Sequence, residues 1–286
     1  MKHAYLIMAH NEFELLHVLI SMLDDARNDI YLHVDKKAKD FAPSDFSTKH
    51  AHLFILDKRL DVRWGHFSQI KLEMLLFETA AKKGPYAYYH LLSGVDLPIK
   101  SQDYIHDFFA KHQGKEFVGF WHDNDWQAIE RVNKYHLFMK FERIPNRWIS
   151  ILMAKARMVL KKVLPSRPIE ITFKKGPNWV SITHDFCQYL LSKKKWILRR
   201  FKYTQNGDEV FLQSVIWNSS FRDHLFNESD VDCGCMRLID WERGSNTSPY
   251  TWQEADLPTL LQSDKLFARK FKTTNSAKLI SKIQSI

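Results

Sequence analysis

Residues 86–92 (YAYYHLL) form an apolar run that stops abruptly at Ser93 and Gly94, and the chain continues as SGVDLPIKS through residue 101. A run of this length bounded by turn residues predicts a buried strand that empties into a polar turn. In open α/β sheets ligands collect beyond the carboxyl ends of the strands, so a Ser-Gly-x-Asp-x-Pro turn at that place points to a binding crevice. The remainder of the chain repeats the alternation such a sheet requires. Residues 4–8, 30–34 and 53–56 are short apolar runs that predict strands. Asn11 followed three residues later by Glu14 reads as a capping box, after which Leu15, Leu16, Leu19 and Leu23 share one helical face. Ser68 is the predicted cap of a second helix, with Leu72, Leu75, Leu76, Thr79 and Ala80 at buried-face spacing. Helices over 102–112, 185–191 and 209–217, extended segments over 116–120, 176–182 and 236–239, and a turn at 206–208 complete the pattern. This rhythm implies an α/β fold with a mostly parallel sheet and crossover helices. The chain is expected to form one domain over residues 1–286, with a basic helical insert near 143–168.

A composition of 45% hydrophobic and 14% aromatic residues is ample for a packed core and excludes disorder as the main theme. The 42 Lys and Arg against 33 Asp and Glu give a formal charge of +9, which favours anionic partners: nucleic acid, anionic lipid or a phosphate-bearing substrate. Position must choose among them. The basic runs at 193–195 and 199–202 lack the aromatic interleaving of stacking platforms, so no nucleic acid is expected. Over residues 147–164, Ile149, Leu152, Met153, Ala156, Leu160, Val163 and Leu164 follow one helical face, with Lys155, Arg157, Lys161 and Lys162 as the basic remainder. Two readings stay open there, a packed surface helix or an interfacial helix touching anionic membrane. Only Cys187, Cys233 and Cys235 are present, which offers no disulfide framework and fits a reducing compartment. The opening MKHAYLIMAHNE has too short an apolar run for a signal peptide, and no window reaches transmembrane length. The expected location is the cytoplasm, with the inner face of the cell membrane as the peripheral alternative.

HVDKK at 33–37, RWGHFS at 63–68 and HLLSGVDLPIKS at 90–101 occur in an order that resembles the core-2/I-branching β-1,6-N-acetylglucosaminyltransferases, a family that also includes the peptide O-xylosyltransferases. The likeness extends over residues 4–271. It implies a GT-A-type fold and inverting transfer of N-acetylglucosamine from its UDP donor to a hydroxyl of a glycan or lipid-linked glycan. UDP-xylose is the alternative donor. Animal members carry a membrane anchor, and the resemblance here is to a bacterial type without one. A basic nucleic-acid-binding protein is the alternative from a different class, and a non-catalytic sugar-binding relative is a third.

Sugar transfer needs a base for the acceptor hydroxyl and positive charge for the departing diphosphate. NGDEVFLQS at 206–214 places Asp208 and Glu209 at the mouth of a predicted helix. From the residues alone this reads as a cap by Asp208 beside a solvated Glu209. The resemblance makes Glu209 the base and Asp208 a neighbour at the sugar. It also assigns the diphosphate to Lys270 and Arg237, with Arg269 as a further cation, from LFARKF at 266–271 and RLIDW at 237–241. Asp35, after the second predicted strand, is placed to accept hydrogen bonds from ribose or uracil, with His10 and Asn11 nearby. Arg63, Trp64 and Gly65 match a donor-site segment, although Trp64 reads equally as core. Ser93 and Asp96 are expected at the floor of the donor site, and Arg131 and Trp179 at the sugars, with Trp121, Trp126, Lys134 and Tyr135 as further acceptor candidates. Asp123 and Asp125 form an Asp-x-Asp triplet of the kind that holds Mn²⁺ or Mg²⁺, and Asp230 and Asp232 form another. The family resembled works without metal, so no cofactor and no metal ligands are expected.

Overall fold

The computed structural model describes residues 2–121, 125–141, 146–245 and 248–285. Its centre is β1 (His3–Ala9), buried along nearly its whole length, as a strand covered on both faces must be. β2 (Asn28–Val34) and β4 (Tyr88–Ser93) flank it in parallel, β3 (His52–Ile55) extends the sheet beyond β2, and β6 (Ser181–Thr183) closes the other edge antiparallel to β4. The mostly parallel α/β sheet is therefore the one the alternation predicts. Register aligns Ala9 with Val34 and Met8 with Ser93, so the carboxyl ends of β1, β2 and β4 finish level. The period of two sends Tyr5 and Ile7 to one core with Leu16, Leu92 and Phe267, and Ala4 and Leu6 to the other with Phe77, Leu91 and Phe211.

Several local expectations are corrected. Helix α1 (Phe13–Met22) buries Leu15, Leu16 and Leu19 as expected, but no capping box forms; Glu12 at its N-cap has φ 55° and accepts from the Thr273 amide at 2.9 Å. In α2 (Ser68–Ala81), Ser68 is the first helical residue and its hydroxyl accepts the Arg63 amide at 2.9 Å. Leu72, Leu76 and Ala80 are buried with Ile70, Glu73, Met74 and Phe77, whereas Leu75 and Thr79 stay half-exposed. The buried face is rotated because α6 (His184–Ser192) and α7 (Lys194–Arg200) cover its flank. Of residues 116–120 only Glu116 and Phe117 form isolated bridges, and of 176–182 only the end joins a strand.

The turn after β4 is two residues long. Asp96 already opens β5 (Asp96–Pro98), which pairs antiparallel with β8 (Phe267–Arg269), itself parallel to β7 (Arg237–Ile239). A Cβ at Gly94 would stand 2.9 Å from that of Ala9, so the glycine lets the turn fold back on the end of β1. Helix α3 (Gln102–Lys111) follows, capped by the Ser101 side chain, then α4 (Asp125–Asn133) and α5 (Arg147–Val163). Helices α8 (Phe211–Trp217) and α9 (Val231–Cys235) lead to β7. The C-terminal stretch, polar and basic in sequence, holds α10 (Leu257–Gln262), β8 and α11 (Thr273–Ile283), whose Leu279, Ile280 and Ile283 are buried.

Candidate active site

The level strand ends form one rim. The Asp35 amide donates to Ala9 O at 2.9 Å and the Gly94 amide to Met8 O at 2.9 Å, which stitches the exits of β1, β2 and β4 together. The Asp35 carboxylate is buried and already engaged: it accepts the Lys37 amide and ammonium at 2.8 Å each and the Val62 amide at 3.1 Å. It braces the loop that carries Arg63, rather than standing open to a ribose or uracil. Arg63 is also engaged, by Asp61 at 2.8 Å and by the Lys140 carbonyl at 2.6 Å. Trp64 is 42% exposed, which removes the core reading. Asn11 is exposed beside His10. The His10 imidazole is held below its ordinary pKa by desolvation first, with Arg269 and Lys37 adding to the effect against Asp35, so the arginine of the C-terminal tail lies within electrostatic reach of the β1 end.

Gly65 joins this rim to the acidic segment 141 and more residues away. It has φ 68°, its carbonyl accepts the Asn206 amide at 2.9 Å, and its amide donates to Gln69 Oε1 at 2.5 Å. Gln69 Nε2 donates in turn to Asp208 Oδ2 at 2.8 Å. A Cβ at Gly65 would stand 2.3 Å from Asn206 Oδ1. Gly65→Ala is therefore expected to cost about 1–2 kcal/mol from the left-handed backbone alone, and to lower turnover further by displacing the 206–209 turn; urea unfolding and a donor-hydrolysis assay on the same preparation read both effects.

Glu209 ends a short 3-10 turn, Gly207–Glu209, just before α8. Its Oε2 accepts from Arg131 Nη1 at 2.6 Å, and Lys175 Nζ lies 4.0 Å away. Oε1 has no protein partner among the described residues, and the side chain is 26% exposed. This leaves one oriented, solvent-accessible carboxylate oxygen. Arg131, expected at a sugar, is thus brought to Glu209. Asp208 is buried and faces Gln69; burial first, then the charge of Glu209, pushes its pKa up to about 7. Behind it Glu73 is fully buried, with its pKa raised by burial and then by Asp208, and accepts from Asn178 at 3.2 Å. Asp208, expected beside the sugar, therefore supports the turn from inside. Sequence reasoning missed Lys175, Gln69 and Glu73. Glu73 was legible as an acid on an apolar helix face at the spacing of Ile70, Met74 and Phe77, and Lys175 as the residue preceding GPNW.

The GPNW segment spans from acid to cations. The Gly176 amide donates to Glu209 O at 3.0 Å, and the Trp179 ring centre lies 4.5 Å from the Arg269 guanidinium. Arg269 Nη1 pairs with Asp96 Oδ1 at 2.6 Å and also donates to Ser93 Oγ. Asp96 accepts the Ser93 amide at 2.8 Å and is 1% exposed, so Ser93 and Asp96 fix Arg269 from beneath. Lys270 donates to Ser248 Oγ and forms no ion pair among the described residues; burial, then Arg269 and Lys272, lower its pKa.

Arg237 is not part of this group. It is 1% exposed, its Nη1 donates to Cys235 O at 2.7 Å, and its Nη2 donates to Val180 O at 3.2 Å and Ser181 Oγ at 3.1 Å. A diphosphate ligand was expected there, and the structure shows a core residue stacked 4.4 Å from the Phe267 ring. Among the described residues no group of three or more His, Cys, Asp or Glu side chains is gathered where it could hold a metal ion. Asp123 lies outside the described residues, Asp125 pairs with Lys174, and Asp230 caps α9 by accepting the Asp232 and Cys233 amides at 2.9 Å. Among the acceptor candidates, Trp121 lies 4.3 Å from the Lys175 ammonium, whereas Trp126 is exposed and Lys134 is turned to Ser166.

The family model described as Core-2/I-Branching enzyme matches residues 3–261. Among curated proteins, the chain is 24% identical over 280 residues to "Xylosyltransferase oxt" of Drosophila pseudoobscura pseudoobscura, covering 90% of this chain and 30% of that protein. It is 20% identical over 275 residues to "Xylosyltransferase 1" of Rattus norvegicus, covering 89% of this chain and 31% of the relative. The chain thus spans about a third of the length of these relatives. Among solved structures, mouse xyloside xylosyltransferase 1 in its apo form aligns over 93% of this chain and 96% of that chain, with a TM-score of 0.43 and 11% identity.

Proposed function

The chain belongs to the Core-2/I-Branching enzyme family, and from that premise we propose that it is an inverting glycosyltransferase that moves a sugar from a UDP donor to a hydroxyl of a glycan. One observation carries the reading: a carboxylate with one open oxygen, Glu209, is joined through the Gly176–Trp179 segment to Arg269, whose neighbour in the chain is Lys270. In the proposed step Glu209 Oε1 takes the proton of the acceptor hydroxyl as its oxygen attacks the anomeric carbon. The bond from that carbon to the diphosphate breaks on the opposite face, and the leaving group's charge is met by Lys270 and Arg269. Arg269 is already paired with Asp96, so Lys270, held by a neutral hydroxyl, has more net charge to offer. His10, Asn11, Trp64 and Gly65 complete the proposed nucleotide face, with Asp35 and Arg63 holding it in shape. These cations do the work a divalent ion would do, which supports metal-independent turnover.

The relatives named xylosyltransferase support UDP-xylose as donor over the UDP-N-acetylglucosamine expected from the sequence. The test is a thermal-shift and donor-hydrolysis screen of both UDP-sugars with and without EDTA. Stabilisation and turnover by UDP-xylose that persist in EDTA are expected. Turnover of UDP-N-acetylglucosamine alone would restore that donor, and complete loss in EDTA reversed by Mn²⁺ would overturn metal independence. Salt-sensitive RNA binding with no response to any UDP-sugar would reject the enzyme altogether.

A further inference from the structure

Helix α5 (Arg147–Val163) is 17 residues long and none of them is buried. It is firmly started, since Asn146 Oδ1 accepts the amides of Trp148 and Ile149 at 3.1 and 3.2 Å. One side is attached to the protein: Met153, Ala156 and Leu160 are half-buried, Arg157 donates to Met139 Sδ at 3.0 Å, and Lys161 pairs with Glu130 at 2.7 Å. A neighbouring stripe turned to solvent carries Trp148, Leu152, Val159 and Val163, spaced i, i+4, i+11 and i+15, and they are 80%, 60%, 59% and 74% exposed. The apolar face expected from the sequence is thus divided, with Leu152 and Val163 turned outward. Arg147, Lys155 and Lys162 are exposed on the same outward side, and the helix contains no acid.

We propose that this face docks on the surface of an anionic lipid bilayer. Cations are depleted from the dry centre of protein–protein interfaces, but Lys155 and Lys162 stand directly beside the apolar stripe. A bilayer interface satisfies both at once: the apolar side chains enter the acyl boundary while long lysine stems carry their ammonium groups out to the headgroups. A tryptophan at one end of the stripe suits the headgroup level. At about 25 Å, with five cations, the helix lies along a membrane and does not cross it. The surface is remote in role from Glu209, so membrane docking and sugar transfer stand or fall separately.

The test is flotation of the full chain with vesicles of phosphatidylcholine alone and with roughly one third phosphatidylglycerol. Binding to the anionic vesicles is expected to exceed that to the neutral ones by about tenfold or more and to weaken with added salt. Leu152→Glu with Val159→Glu should reduce it to the neutral-vesicle level, with circular dichroism and donor hydrolysis unchanged. Quenching of tryptophan emission by brominated lipid, smaller in Trp148→Phe than in the parent chain, gives a readout without a charge substitution. Equal binding to both vesicle types, or undiminished binding by the double variant, would overturn the proposal. So would a dimer that forms without lipid and is lost in the double variant, which would make this face an interface between copies.

Discussion

Glu209→Gln is expected to lower turnover by about a thousandfold, within the range that a positioned general base contributes, while UDP affinity stays within about twofold. The geometry makes the separation clean. The carboxamide oxygen of glutamine can still accept from Arg131, so the Arg131 contact that orients residue 209 survives and only the basicity is lost. The Gly207–Glu209 turn is fixed from other directions, through Gly65 to Asn206, Gln69 to Asp208, and the Gly176 amide to Glu209 O, none of which uses the mutated carboxylate. Removing one negative charge leaves Arg131 and Lys175 less compensated, and a modest fall in thermal stability accompanies the change. Steady-state UDP release gives the kcat, and calorimetric titration with UDP gives the affinity. A variant as active as the parent chain would reject Glu209 as the base. Loss of UDP affinity in step with kcat would move Glu209 into the donor site.

The parts of this site were readable one at a time, and their arrangement was not. RWGHFS and NGDE each stand out as short polar segments interrupting apolar runs, yet their contact depends on Gly65 having no side chain where Asn206 arrives. Nothing in either segment states that requirement. The strands β1, β2 and β4 were legible because strands buried on both faces read as continuous apolar runs. β7 was legible too, inside the extended segment at 236–239, but β5 and β8 were not, because each is three residues long, one contains Pro98 and the other an arginine, and they pair with each other from far apart in the chain. Glu12 and Ser68 show the same limit at helix starts. Asn11 and Ser68 are residue types that suit a cap, but the N-cap of α1 falls on Glu12, whose carboxylate takes the distant Thr273 amide, and the Ser68 hydroxyl takes a nearby loop amide.

Arg237 and Lys270 give the sharpest contrast, since each is a cation beside apolar residues and both were assigned to the diphosphate. Arg237→Ala is expected to cost roughly 3–5 kcal/mol of stability, the combined effect of a buried cavity and unmet buried polar groups. Truncation would take the Arg237 donor from the Cys235 carbonyl, leave Val180 O with the Leu91 amide alone and the Ser181 hydroxyl with His90 alone, and remove the guanidinium that stacks on Phe267. Burial holds the guanidinium pKa down to about 10, so the group is still cationic at neutral pH and contributes three charge-assisted donations where water cannot substitute. Because β7 and β8 pair Arg237 with Phe267, loss of this packing also loosens the strand that presents Arg269. Lys270→Ala removes a side chain whose bonded partner is a serine hydroxyl, so stability should change little while UDP affinity falls about tenfold, as loss of one charge-assisted contact implies. Urea midpoints and UDP titrations on the two variants must therefore move in opposite patterns. An Arg237→Ala protein with an unchanged midpoint and weakened UDP binding would place that arginine back among the diphosphate ligands, and would require the β7–β8 pairing to open when donor binds.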